Sequence, residues 1–261
     1  MQIFSPVVYY ERDAGENPTR CYNRLSMYGY VLSAAALVSA STAAYQSVAP
    51  SGQWYGRTFT RLPRSSKKLA LTYDDGPNDP HTLRLMEVLA KHDVRATFFC
   101  IGRYAQQKPQ IVRDLIKAGH VIGNHTQTHP NLALQSQTQV RIQLTTCQNI
   151  LSDVIGAPPK LFRPPYGGRR PSVLRIAGEM GLEPVMWSIT CYDWKATSPE
   201  QIEQHVKRQL RGGDVILLHD GGHNEMGVDR AHSVAATDRL IAKYKAEGYE
   251  FVTIPEMMKN M

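Results

Sequence analysis

The sequence predicts an α/β protein, a closed or nearly closed (β/α)7-type barrel in a single domain. Its 261 residues suffice for one large domain with a sizeable core. From residue 68 onward, apolar runs alternate with amphipathic runs in about seven units, which implies parallel strands covered by helices. Polar residues recur where the predicted strands end, and in parallel barrels that end of the sheet forms the active face.

In the first half of the barrel, three short apolar runs predict buried strands, at 68–75, 95–102 and 120–126. The helices predicted to follow them lie at 81–93, 109–120 and 134–155. The first helix has an apolar stripe that contains Leu83, Met86 and Leu89. The second closes at Gly119, a residue type that commonly ends helices.

In the second half, strands are predicted at 160–168, 183–190, 214–220 and 249–254, the first of them running into a Pro/Gly loop. The helices predicted between these strands lie at 171–181, 198–210 and 235–248. Ser198 would cap the middle helix, and Glu200 lies in its first turn. The predicted domain covers residues 68–258.

The composition is that of a soluble globular protein, with 42 % apolar and 20 % charged residues. It excludes a mainly disordered or collagen-like chain. The formal net charge of +7 fits a basic surface kept for solubility as well as an acidic polymer as partner. No run of Lys and Arg is interleaved with aromatic residues, so we expect no nucleic-acid partner.

The cysteine pattern indicates neither a disulfide scaffold nor a structural zinc site. The chain has four cysteines, and none of them forms a C-x-x-C pair. Cys100 lies in an apolar strand-like run, where we expect a free buried thiol.

The segment 28–44 carries no charge and is rich in Ala, Val and Leu. Arg20 and Arg24 precede it and small residues lie at Ala40 and Ala43, which is the pattern of a secretory signal. An uncleaved membrane anchor is a second interpretation, and a buried Ala-rich helix a third. The first two predict an exported protein of the cell envelope, periplasm or extracellular space. The predicted organisation before the domain is a polar tail at 1–27, a signal peptide or membrane anchor at 28–45, and a linker or lead-in at 46–67.

Two pairs of polar residues are candidates for a metal site. Asp74 and Asp75 end the first strand, where a turn supplied by the following Gly-Pro pair would bring both carboxylates into one site. His125 and His129 are spaced i and i+4, positions that share one face of a helical turn. Two His and one Asp make a known catalytic zinc set with a position open for water. Alone, the Asp pair also fits an ordinary capped turn. Two His at this spacing also arise often by chance.

Other strand ends carry further candidates. His219 ends an apolar strand and, near a metal, is a candidate general acid. Arg163 precedes a stiff Pro-Pro loop and can orient a carboxylate through charge-assisted hydrogen bonds. After the next strand come Asp193 and Trp194, and the indole face suits a sugar-binding cleft. Trp187 fits a core position better.

The order of these motifs resembles that of the carbohydrate esterase family 4 deacetylases, also called the polysaccharide deacetylase or NodB homology group. The resemblance extends from about residue 68 to residue 255. It includes five motifs in the family's order: TYDDG at 72–76, HTQTH at 125–129, RPPYG at 163–167, DW at 193–194 and LLHD at 217–220. It implies a distorted (β/α)7-type barrel as a single catalytic domain. Two positions depart from the pattern: Tyr73, where Phe is frequent, and Thr190, where many members have Asp.

The resemblance implies a metal site with a neighbouring base. The ligands of a divalent ion would be Asp75, His125 and His129. The ion would usually be zinc, with cobalt, nickel or iron as alternatives. Asp74 would be the general base that activates water, and Arg163 would hold it in place.

The resemblance also implies the acid and the substrate contacts. His219 would protonate the leaving amine or alcohol, with Asp193 tuning it. The backbone N–H of Tyr166 would stabilise the oxyanion together with the metal. Leu217 would help to shape the pocket for the acetyl methyl group, and Trp194 would line the cleft.

The implied activity is the metal-dependent removal of acetyl groups from N-acetylated amino sugars of a polysaccharide, either peptidoglycan or a chitin-like glycan of the cell wall. An O-acetyl esterase acting on acetylxylan-type glycans is the alternative, since the same site attacks esters. A non-catalytic glycan-binding module is disfavoured, because the base, the acid and the ligands are all present. The expected partners are therefore an acetylated glycan and water.

Overall fold

The structure is a computed structural model and describes residues 18–259 of the chain, with side chains from residue 27 onward. The chain divides into two compact units, and the second, Tyr45–Met261, contains all the described strands. The helices of the described part are α1 (Pro18–Val48), α2 (His81–Lys91), α3 (Gly102–Gln107), α4 (Pro109–Lys117), α5 (Gln137–Ile155), α6 (Pro171–Glu179), α7 (Pro199–Gln209), α8 (Ala231–Ala246) and α9 (Ile254–Met258). The strands are β1 (Lys68–Asp74), β2 (Thr97–Cys100), β3 (Val121–Asn124), β4 (Leu161–Phe162), β5 (Glu183–Pro184), β6 (Ile189–Thr190), β7 (Val215–His219) and β8 (Glu250–Phe251).

Helix α1 carries the apolar segment near the N-terminus. Its portion Met27–Val48, with a mean hydropathy of 1.3, is long and apolar enough to cross a membrane by length and composition, a test that a signal sequence also passes. Leu32, Leu37 and Val38 are exposed. The choice between signal peptide and anchor stays a prediction. The predicted polar tail lies outside the described residues, except for its last ten, which belong to α1.

The described strands form one parallel sheet that curls around an incomplete barrel. The strand order is β5-β4-β3-β2-β1-β7-β6, and β8 pairs with β1. β5 and β6 lie at opposite edges of this order, although only residues 185–188 join them. Because five residue steps span at most roughly 18 Å, the two edges must approach each other. The predicted α/β barrel fold is confirmed.

The segment at 183–190 is two strands instead of the predicted one. The chain leaves one sheet edge after β5 and joins the other edge at β6, so it cannot continue a single ladder. In the gap, Phe59 pairs with Val185 through an isolated parallel bridge. Phe59 and Leu62 are buried, so the segment expected to be a linker or lead-in packs on the barrel.

Other element boundaries also differ from the predictions. Helices α3 and α9 were not expected, and α8 begins four residues before the predicted start at residue 235. Helix α5 begins at Gln137 because the Ser136 side chain accepts a hydrogen bond from Gln139 N and caps it. The predicted last strand ends early because Thr253 and Glu256 form a capping box that starts α9.

Successive side chains of β1 point alternately toward the surrounding helices and toward the barrel interior. Leu69, Leu71 and Tyr73 pack in the largest core cluster with side chains of α2, α7 and α8. Ala70 belongs to a different cluster, and Asp74 lies on the same side of the strand as Ala70. Asp74 therefore points into the barrel at the carboxyl end of β1.

Candidate active site

A cavity of about 360 Å³ lies at the carboxyl ends of the strands, a volume that suits a sugar-sized ligand. Arg163 and Asp193 are the predicted site residues that do not line it, and each of them binds a residue that does. The lining residues are Asp74, Asp75, His125, His129, Pro164, Tyr166, Trp187, Trp194, Leu217, His219, His223 and Arg230.

Asp75, His125 and His129 form a buried group that could hold a metal ion. Asp75 Oδ1 lies 3.2 Å from His129 Nε2 and 3.4 Å from His125 Nε2. Tetrahedral bonds of zinc to nitrogen and oxygen would separate such donors by about 3.3 Å, so the spacing fits. Asp75 Oδ1 is buried without a hydrogen-bond partner among the described residues. An ion would satisfy this oxygen.

The protonation states of this group suit a cation. His125 Nδ1 lies 2.8 Å from the carbonyl oxygen of Arg163 and donates to it, which leaves Nε2 free to bind a metal. Burial lowers the pKa of His129 to about 3, so that imidazole is neutral near pH 7. Burial acts to raise the pKa of Asp75, but the two imidazoles beside it outweigh burial and hold that pKa well below its usual range.

The two histidines lie on a loop, and the prediction that they share a face of a helical turn is wrong. Thr126 and His129 adopt left-handed backbone conformations, with φ of 68° and 63°. Backbone bonds tie the loop to a neighbouring segment: His125 N donates to Cys100 O at 3.0 Å, and Gly102 N donates to the Thr126 carbonyl at 2.9 Å. Within the loop, His129 N donates to Thr126 Oγ1 at 3.0 Å. The two imidazoles still meet, with ring centroids 4.9 Å apart.

The turn that brings Asp75 beside Asp74 occurs at Asp75 itself. The φ of Asp75 is 74°, a left-handed conformation. The sequence had predicted the turn at the Gly-Pro pair that follows. Gly76 has a different requirement, because a Cβ there would lie 2.1 Å from Asp220 Oδ2. Asp220 is a buried carboxyl to which Thr82 Oγ1 donates at 2.5 Å. Burial raises the pKa of Asp220 to about 7.

Arg163 is fully buried and fixes Asp74. Its Nη1 donates to Asp74 Oδ1 and to Thr72 Oγ1, both at 2.8 Å. Its Nε and Nη2 donate to the carbonyls of Val185 and Met186. With every nitrogen engaged, the guanidinium cannot rotate, so Asp74 keeps one orientation. Its other oxygen, Oδ2, faces the ligand group, 3.8 Å from the nearest imidazole nitrogen.

His219 is paired with Asp193. Asp193 Oδ1 lies 2.8 Å from His219 Nδ1, and its Oδ2 accepts from His219 N and from Ser233 Oγ. Burial acts to lower the pKa of His219, but the charge and hydrogen bond of Asp193 outweigh it and raise that pKa to about 9. The ring of Trp194 contacts His219 edge-on, with centroids 5.1 Å apart.

The cavity also contains residues that the sequence did not predict. His223 stacks on His129 with ring centroids 4.8 Å apart and an interplanar angle of 24°, and its Nδ1 lies 3.9 Å from Asp75 Oδ2. Trp187 packs against the core, as expected, and lines the same cavity together with Arg230. The only sequence signal for His223 is its place four residues after His219, which is too weak to identify it.

The three free cysteines of the described side chains, Cys100, Cys147 and Cys191, are buried, as expected for Cys100. Burial raises the pKa of each thiol. None of them lines the cavity, so they are part of the core and take no part in the ligand group.

Comparisons with known proteins point to one family. Residues 61–185 match the family described as polysaccharide deacetylase. The chain is 39 % identical over 200 residues to a peptidoglycan-N-acetylglucosamine deacetylase of Bacillus cereus, a match that covers 76 % of this chain and 70 % of the relative. It is 34 % identical over 202 residues to a chitooligosaccharide deacetylase of Azorhizobium caulinodans, covering 75 % and 96 %.

Solved structures that resemble this chain belong to the same family, but they include a pseudoenzyme as well as an active enzyme. A peptidoglycan N-acetylglucosamine deacetylase in complex with an N-hydroxybenzamide derivative matches with a TM-score of 0.71 and 39 % identity, covering 77 % of this chain and 91 % of that one. A pseudoenzyme of carbohydrate esterase family 4 from Bacillus anthracis matches with the same TM-score and 29 % identity, covering 77 % and 68 %. Activity must therefore be argued from the site residues and not from the fold.

Proposed function

Because the chain belongs to the polysaccharide deacetylase family, or carbohydrate esterase family 4, we propose that it removes acetyl groups from N-acetylated amino sugars of a polysaccharide. The substrate would be peptidoglycan or a chitin-like glycan, the classes named for its relatives. One observation carries the proposal. A three-residue ligand group, a carboxylate held by an arginine and an imidazole held by a carboxylate converge on a single cavity.

Asp75, His125 and His129 would hold a divalent cation. Their donor set, one carboxylate oxygen and two imidazole nitrogens, suits zinc and is also acceptable to cobalt, nickel or iron. When bound, such an ion polarises a carbonyl and lowers the pKa of water.

Asp74 would accept the proton of the attacking water. Its Oδ1 is engaged by Arg163, so Oδ2 is the oxygen available for the proton. Because the arginine fixes the carboxylate before the substrate arrives, no reorientation is needed during the reaction.

His219 would give a proton to the leaving amine. Its Nδ1 is held by Asp193, which leaves Nε2 to act, and the raised pKa means that the ring carries this proton near pH 7. Asp74 and His219 are register partners on the neighbouring strands β1 and β7, which lie about 4.8 Å apart. The base and the acid are therefore direct neighbours on the sheet, and the scissile amide would lie over this pair.

Three lining residues would contact the substrate. Tyr166, on the loop after β4, would donate its backbone N–H to the oxyanion. Leu217 is buried and suits the acetyl methyl group, whereas Tyr166 and Trp194 keep 51 % and 40 % of their surface exposed. Exposed aromatic rings beside a buried apolar residue suit a long glycan whose acetyl group alone enters the cavity.

We place the enzyme outside the cytoplasm, at the cell envelope or in the extracellular space. Helix α1 could serve as an export signal or as a membrane anchor. A glycan of the cell wall would be accessible in either case.

An acetate-release assay on the full chain tests the proposal. The protein is stripped of metal, reloaded with one divalent ion at a time, and incubated with peptidoglycan, N-acetylchitooligosaccharides and acetylxylan. We expect acetate from the first two substrates only with metal. Faster release from acetylxylan would indicate the esterase instead, and no release from any substrate with metal bound would indicate a pseudoenzyme.

A further inference from the structure

Arg169 is a buried cation that has no acidic partner in the described part of the chain. It is 1 % exposed, and burial lowers the pKa of its guanidinium. No carboxylate among residues 27–259 forms an ion pair with it. A buried charge is costly unless each of its donors meets an acceptor. Arg169 plays no part in the proposed chemistry, so its burial requires another reason.

Backbone carbonyl oxygens, instead of a carboxylate, accept the hydrogen bonds of the Arg169 side chain. Arg169 Nη1 donates to the carbonyl of Gly167 at 2.9 Å, within the loop that carries Tyr166. Its Nη2 donates to the carbonyls of Ala49 and Gly52, both at 2.6 Å. The backbone N–H of Arg169 donates to Ser47 O at 2.8 Å. One side chain thus joins the segment 47–52, which we call the clamp segment, to the Tyr166 loop.

The clamp segment also packs directly against that loop. Gly167 has a φ of 68°, and a Cβ at this position would lie 2.7 Å from the Val48 carbonyl oxygen. On the other side, a Cβ at Gly52 would lie 3.0 Å from Arg169 Nη2 and 2.7 Å from Gln46 Oε1. Glycines at both places permit the close approach.

Tyr166 needs such support, because its φ of 57° is a left-handed conformation that a side chain makes unfavourable. We infer that Arg169 is a positioning residue, which uses the clamp segment to hold the Tyr166 backbone N–H where the oxyanion forms. This inference rests on the proposed deacetylase function. It adds a part of the chain outside the family's motifs to the active site.

Kinetics of full-chain variants test the inference. In Arg169→Lys, a single nitrogen cannot occupy the positions of both Nη1 and Nη2, so the bonds to Gly167 and to the clamp segment cannot all form. We expect kcat on N-acetylchitooligosaccharides to fall at least about tenfold, the effect of a displacement of about 1 Å in an active site. KM should stay within about twofold and the zinc content unchanged. Gly52→Ala, a milder change in the clamp segment, should act in the same direction. Arg170→Met is the matched control with unchanged kcat, since Arg170 donates to Gln135 O and not to the clamp segment.

Amide hydrogen exchange separates this inference from the proposed activity. If Arg169 holds the loop, Arg169→Lys will accelerate exchange in peptides covering residues 164–168, while peptides of β1 and β7 stay protected. That result would support the positioning role even in a protein without deacetylase activity. Unchanged exchange in the loop, or a kcat equal to that of the unmodified enzyme, would overturn it. An equal fall of kcat in Arg170→Met would also overturn it.

Discussion

Replacing Asp193 by Asn should move the alkaline limit of activity. The Asn carbonyl can still accept from His219 Nδ1, so the imidazole keeps its place, but the negative charge at 2.8 Å is lost. The amide group would face His219 N and Ser233 Oγ, which both donate to Asp193 Oδ2, so one or both of these bonds would be lost as well. The variant therefore removes the charge together with hydrogen bonds, and a second variant must separate the two effects.

The size of the effect follows from the pKa of His219. The difference between 6.5 and about 9 corresponds to on the order of 3 kcal/mol in favour of the imidazolium. Asp193 contributes more to this rise than Asp75 and Asp74 do, so without its charge we expect burial to bring the pKa back to about 6.5 or below. At pH 7.5, about a tenth or less of His219 would then be protonated, so kcat/KM should fall at least about tenfold. The same pair stabilises the folded protein fully below pH 6.5, and this contribution is lost as the pH rises through about 9.

The assay is the pH profile of kcat/KM for acetate release between pH 5 and 10. We expect the descending limb near pH 9 in the unmodified enzyme and at or below pH 6.5 in Asp193→Asn. Ser233→Ala is the control: it removes a hydrogen bond to Asp193 but no charge, and should move the limb by less than about one pH unit. A descending limb that stays near pH 9 in Asp193→Asn would refute the assignment of His219 as the acid set by Asp193.

Three further predictions follow from the site and the sheet. Asp75→Asn should lose bound zinc, whereas Asp74→Asn should keep zinc and lose turnover, as measured by metal analysis and acetate release; equal loss of zinc would contradict the division of roles. His223→Ala should raise KM for chitooligosaccharides several-fold with zinc content unchanged, because the ring covers His129 without belonging to the ligand group; loss of zinc would make it a ligand instead. Gly123→Ala should lower the free energy of unfolding by about 1–3 kcal/mol in urea titrations, since its Cβ would lie 2.5 Å from the Phe99 ring; an unchanged midpoint would contradict that packing.

The sequence predicts the chemistry of the site better than its geometry. Motif order singled out Asp75, His125 and His129, which lie together in the structure as a candidate ligand group, and the apolar run of β1 placed Asp74 at a strand end. The left-handed conformations at Asp75, Thr126 and His129 could not be predicted from local sequence, because the loops that contain them bond to distant segments: Ile101 N donates to Gly76 O, and Gly102 N donates to Thr126 O. His223 was not predicted, because no feature of the sequence around it indicates a place in the cavity.

For the fold, the sequence predicts the long strands better than the short ones. Strands β1 and β7 were predictable because long apolar runs have few alternatives to a buried strand. The short strands β5 and β6 were predicted to be a single strand. They pair at opposite edges of the sheet, and local sequence periodicity does not indicate which edge a strand joins. The packing of Phe59 against Val185 depends on the same closure and was also missed.

Arg169 donates to the carbonyls of Ser47, Ala49, Gly52 and Gly167, which together form a carbonyl cage. If this cage positions the Tyr166 loop, it limits which mature forms of the protein can work. A signal peptidase acting after Ala40 or Ala43 would remove most of the apolar helix, yet every carbonyl of the cage lies beyond both sites, starting with that of Ser47. The released enzyme and the membrane-tethered enzyme would therefore have the same active site. Trimming past Gly52, by a protease or by the choice of an expression start, would leave a buried guanidinium facing only Gly167.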